Sequence, residues 1–118
     1  MPRAIRIGLL AAALTVGAVS GAPAAATEPT DVTLKTDGLG FYHGRVISDA
    51  PECLERKVAL YAVQPGQDGL LDFDRSNAKG KWGFGAQTGD ATTFQARVKA
   101  KTIDGVRCAA GSSPVKHF

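Results

Sequence analysis

Residue types that commonly carry out chemistry are scarce in this chain. Its 118 residues include two cysteines, two histidines, one tryptophan and one methionine. No serine or cysteine sits in a nucleophile motif, and no paired carboxylates are tied to a recognisable cleft. His117 stands next to the last residue, Phe118, and His43 falls on the outward side of a strand-like pattern. These absences argue against an enzyme, and neither a cofactor nor a metal is expected. Past the first twenty or so residues there is no long apolar run. Nor does any stretch there repeat apolar residues at i, i+3, i+4 and i+7, so amphipathic helices are excluded. Internal repeats and long low-complexity segments are missing too.

What is present begins with the leader "MPRAIRIGLLAAALTVGAVSGAPAAA". Arg3 and Arg6 open it, an apolar run extends from Ile7 to about Val19, and Ser20, Gly21 and Pro23 precede an Ala-x-Ala exit. This is the layout of a cleavable secretory signal peptide, with cleavage expected after Ala26 and Ala24 as the second choice. The apolar run is short for a hydrocarbon core of about 30 Å, and no stop-transfer charges follow it. Removal of residues 1–26 leaves 92 residues carrying twelve basic and eleven acidic side chains, a net of one positive charge instead of three. The basic character of the whole chain is therefore mostly a property of its leader. That weakens any case for a nucleic-acid partner. After cleavage the chain is expected to be secreted, extracellular or associated with the cell wall, with no membrane attachment.

A domain of this size has a modest core, and the two cysteines offer reinforcement. Cys53 and Cys108 both lie in the exported part, where pairing is the default. They lack zinc-ligand spacing. One disulfide closing this loop stabilises by about 4 kcal/mol in the chain-entropy picture.

The exported part reads as short period-two segments between turn clusters. "VTLKT" (Val32–Thr36), "FYHGRVIS" (Phe41–Ser48), "KVALYAVQ" (Lys57–Gln64), "LLDFD" (Leu70–Asp74), "KWGFGA" (Lys81–Ala86) and "FQARVKAKT" (Phe94–Thr102) are expected strands, with "PVKHF" a last candidate. Turns fall at "DGLG", "PGQDG", "TGDAT" and "IDGV". Short strands at this spacing predict an all-β fold: a small antiparallel β-sandwich of about seven strands with one disulfide. A lead-in with a short strand is expected over residues 27–38 and the sandwich itself over 39–118.

The order of these motifs resembles the transthyretin-like, carboxypeptidase-regulatory-like domains of secreted bacterial proteins. The resemblance rests on Gly44 with Val46, on the basic strand start Arg56–Lys57, and on the turn from Asp74 through Gly80 to Trp82. It covers about residues 39–115. "RSNAK" lengthens the hairpin, and the last strand is short. The resemblance implies a sandwich and an extracellular setting, and it brings no catalytic residues with it.

Four features invite a functional reading. Asp72, Asp74, Ser76 and Asn77 alternate like calcium ligands, yet loop positions six and twelve hold Asn77 and Gly83, the wrong residues for that loop. An Asx-capped turn, with Gly80 at positive φ, is the expectation. Trp82 shares its strand face with Phe84 and Ala86 and is expected in the core rather than as a sugar platform. Arg97, Lys99 and Lys101 form an outward stripe. Such a stripe either protects a sheet edge or touches an anionic partner, and its own strand face supplies no aromatics for base stacking.

"KVALYAVQ" is apolar on both faces, with Ala59, Tyr61 and Val63 on the second. Either the N-terminal segment covers that face, or Tyr61 and Val63 belong to a contact surface. The expected function is a secreted, non-catalytic module that binds an extracellular protein or surface polymer or serves a structural role. The alternatives are a carbohydrate-binding module and a small inhibitor or toxin acting through the "VQPGQDGLLD" loop.

Overall fold

A computed structural model describes residues 26–118. Apart from Ala26, the expected signal peptide lies outside the described residues. Among those residues the regular structure is eleven short strands and one turn of 3-10 helix, Pro51–Cys53.

Two sheets make the fold. In the first, β1 (Asp31–Val32) and β2 (Lys35–Thr36) are two pieces of one extended segment laid antiparallel on β3 (Phe41–Ile47). The ladder breaks between them at Thr33, whose Oγ1 accepts the Arg45 N–H at 2.8 Å, and the backbone comes very close at Gly44. A Cβ there would sit 2.0 Å from the Thr33 carbonyl oxygen and 2.9 Å from the Trp82 ring. Only glycine leaves that room. On the far side of β3 lies β6 (Lys81–Gly85), with Gly44 opposite Trp82.

The second sheet runs β5 (Gly69–Arg75), β4 (Lys57–Ala62), β7 (Thr93–Val98), and then two short strands paired in turn with β7, β10 (Gly111–Ser112) and β11 (Lys116–His117). A register shift between Leu60 and Tyr61 marks a bulge in the β4–β5 pair. The remaining strands, β8 (Lys101–Ile103) and β9 (Val106–Cys108), form a hairpin outside both sheets. Its turn is Asp104–Gly105, with φ of 50° and 79°, the conformation that an Asp-Gly pair tolerates best.

The period-two pattern accounts for the core. Val32, Tyr42, Val46 and Trp82 from the first sheet meet Val58, Leu60, Phe94, Ala96 and Val98 from the second. The Tyr42 and Phe94 rings pack across the layers at 5.2 Å, and Phe118 closes over both at 6.2 and 6.0 Å. Trp82 is 4% exposed and lies against Phe84 at 5.7 Å, so the indole belongs to the core. Val32 and Leu34 from the lead-in are buried as well, which makes that segment part of the sandwich.

Cys53 and Cys108 are fully buried and joined in a disulfide spanning 55 positions. The bond ties the loop before β4 to the outlying hairpin. Glu28 docks beside it, donating its N–H to the Arg107 carbonyl at 2.8 Å and accepting from the Ala109 N–H at 2.9 Å.

One expected strand stops early. The alternation from Phe94 predicts extension to Thr102, but β7 ends at Val98 and Ala100 is exposed. The Lys99 carbonyl accepts from Arg56 Nη2 at 2.5 Å, and the chain leaves the sheet there to bring Cys108 to Cys53. A buried cation and a disulfide outweigh local alternation at that point.

Candidate functional site

The outward face of the second sheet forms a groove of about 390 Å³. Its shape follows from the register. Ala59 on β4 stands opposite Phe73 on one neighbour and Arg97 on the other, so a methyl group sits between two large side chains. Tyr61 continues the β4 row beside Leu70 and Gln95. Beyond β7, Lys99 and Lys101 complete one wall, and Lys57 stands at the other end of the β4 row.

The groove is strongly basic. Lys57, Arg97, Lys99 and Lys101 line it, and its described lining holds no carboxylate. Arg75, opposite Lys57 in register, adds a further cation on the same face. The aromatic rings hold cations rather than standing bare. Lys57 Nζ lies 4.1 Å from the centre of the Phe73 ring and the Arg97 guanidinium 4.3 Å from that of Tyr61.

Arg97 is further committed. Its Nε donates to Gln95 Oε1 at 2.9 Å, and its Nη2 pairs with Asp68 at the groove's end. The Arg97 hydrogen bond, followed by one from the Gln64 backbone N–H, holds the Asp68 carboxyl below its ordinary pKa. The same pair ties down the loop before β5. The last four residues of "VQPGQDGLLD" are strand, since β5 starts at Gly69.

Arg56 is also part of the groove's base, but it is 2% exposed. Among the described residues its guanidinium has no carboxylate partner. It donates instead to Thr30 Oγ1 at 3.3 Å and to the carbonyls of Cys53, Lys99 and Ala109 at 3.5, 2.5 and 3.0 Å. Its own N–H reaches Ser76 Oγ at 2.7 Å, and that hydroxyl donates to the Leu54 carbonyl. Burial lowers the guanidinium pKa from its ordinary value. Sequence reading misses this role, because it takes Arg56 with Lys57 only as the basic start of a strand.

The sequence-predicted contact residues divide in two. Tyr61, Arg97, Lys99 and Lys101 share the groove, while Val63 lies off it beside the Thr88–Thr93 loop. The sequence treats Tyr61 and the cationic stripe as separate candidates. Strand pairing joins them and brings Phe73 alongside, aromatics that the outward face of the stripe's own strand lacks. The described part of the N-terminal segment does not cover this face, for it runs beside Cys108.

The remaining candidates have local duties. Asp74 Oδ2 accepts from the Gly83 N–H at 3.0 Å and Asp72 Oδ1 from the Phe73 N–H at 2.8 Å. Asn77 Oδ1 accepts from the Lys79 and Lys81 N–H groups at 2.9 and 3.0 Å, so the Asp72–Asn77 oxygens point to several separate partners. Among the described residues no group of three His, Cys, Asp or Glu is placed to hold a metal ion. His43 stacks on Phe41 at 5.8 Å, and His117 Nδ1 contacts Thr93 Oγ1 at 3.1 Å.

No protein-family model, curated protein or solved structure matches this chain.

Proposed function

We propose that this chain is a secreted, non-catalytic β-sandwich module that attaches to an extracellular protein or surface polymer through the groove of its second sheet. One observation carries the reading: five cations, the buried Arg56 among them, line one concave face, and the one carboxylate that meets them, Asp68, stands at its end, although the exported part has a net of only one positive charge. Charge collected in this way creates a local field that draws in an anionic partner. Sheet protection alone requires cations on an edge strand, whereas Lys57 and Arg97 stand on β4 and β7, each paired on both sides.

Export is supported by the leader's layout and by the buried disulfide, which suits an oxidising compartment. No helix among the described residues is long and apolar enough to cross a membrane. Kinship with transthyretin-like domains is part of the proposal and rests on motif order: Gly44, Val46, Arg56, Gly80 and Trp82 each occupy a structural position in the two sheets or the turns between them. A sugar platform at Trp82 has less support, because the indole faces inward.

Capture tests the reading. The oxidised protein is immobilised and exposed to wall and secretome fractions of the producing cell, beside a Lys99→Glu/Lys101→Glu variant. Retention of a component by the parent and its loss in the variant is the expected result. Equal retention by both would displace the groove as the contact site, and no retention by either would remove the binding role.

A further inference from the structure

We infer that the groove takes a linear phosphate-bearing polymer without bases, its charges seated on Lys57, Lys99 and Lys101. The inference rests on the proposed attachment role and names the partner's chemistry.

Three features of the groove select that chemistry. The first is which cations are free. Of the two guanidiniums lining the groove, Arg56 is buried and spent on carbonyls, and Arg97 is held by Asp68 and Gln95. A guanidinium fork matches carboxylate and phosphate alike in bidentate geometry, and neither fork is free here. The lysines are point charges, the mode in which a lysine binds phosphate without a fork.

Ring occupancy is the second feature. Phe73 is 52% exposed, yet Lys57 lies over its ring, and Arg97 lies over Tyr61. Nucleic acid bound along a strand needs open rings for base stacking. These rings position cations instead, which favours a polymer of charge without bases.

The third is the sheet edge. Among the described residues β5 is an edge strand with Leu70 and Phe73 exposed, the setting for an added peptide strand. However, Asp72 Oδ1 takes the Phe73 N–H, and the bulge opposite Leu60 and Tyr61 disrupts the strand. Such features blunt an edge against pairing. A peptide laid along β5 loses main-chain hydrogen bonds where it needs them.

Calorimetric titration of the oxidised protein with poly(glycerol phosphate), polygalacturonate, a single-stranded oligodeoxynucleotide and neutral dextran tests the inference. The glycerol phosphate polymer is expected to bind about tenfold or more tighter than the other three, and more weakly as salt rises. Lys57→Gln/Lys99→Gln/Lys101→Gln should weaken it by about tenfold while circular dichroism stays unchanged. The same kind of charge loss on the first sheet, Lys35→Gln/Lys81→Gln, should alter it by less than about twofold.

Equal loss in the first-sheet variant, or no loss in the groove variant, overturns the inference. So does equally tight binding of the oligonucleotide or of polygalacturonate. Failure of all four polymers alongside groove-dependent capture of a cellular component overturns only the phosphate chemistry. Failure of both experiments overturns the attachment role as well.

Discussion

Arg56 ties together four separate parts of the described chain. Its guanidinium joins the N-terminal segment, the disulfide loop, the end of β7 and the chain after β9. Arg56→Ala leaves buried carbonyls without donors, and a cost of about 3 kcal/mol is expected in urea unfolding. Arg56→Lys should recover only part of this, since one ammonium does not span acceptors held by a planar fork. Asp68 gives a pH signature. Its folded pKa is lowered, so its stabilising contribution is present above the unfolded carboxylate value of about 3.8 and lost as pH falls through the folded value. Carboxyl carbon shifts followed by NMR should place the Asp68 midpoint below the ordinary range, and Arg97→Gln should move it upward. Neither role is legible in the sequence, because each depends on partners dozens of positions away.

At the scale of elements, strand existence is legible and strand ends are less so. Alternation in "FYHGRV", "KVALYA" and "KWGFG" puts Tyr42, Val46, Val58, Leu60 and Trp82 inward, as the sandwich does. Side-chain period two is a local property, and burying one face is enough to select it. The end of β7 is not local, since Arg56 and the disulfide set it. Turns are the better-specified part. Gly80 has φ of 79°, and a Cβ there would sit 2.1 Å from the Val46 carbonyl oxygen, whose residue also donates its N–H to the Gly80 carbonyl at 2.7 Å. Gly80→Ala should therefore lower stability by about 1–3 kcal/mol, read from the denaturant midpoint. Gly66 also has positive φ, but a Cβ there meets nothing within 4 Å. Gly66→Ala should cost less, the difference measuring the close approach at Gly80.

Over the whole molecule, the disulfide compensates for a small core. It anchors the β8–β9 hairpin, which pairs with neither sheet, to the loop before β4. Cys53→Ala/Cys108→Ala should lose about 4 kcal/mol in urea unfolding, most of it from the less restricted unfolded chain. Amide exchange should rise first in Lys101–Cys108, the segment that the bond tethers. From sequence alone come the all-β class, the inward set led by Trp82, the turns at Gly80 and Asp104–Gly105, and the pairing of the only two cysteines. Each follows from neighbours a few positions apart or from a count with one solution. The groove is different in kind. It needs β5, β4 and β7 side by side in one register, so that Ala59 lies between Phe73 and Arg97 and the lysines gather on one face. Residues distant along the chain share no local pattern, and only their packing into one sheet makes them a surface.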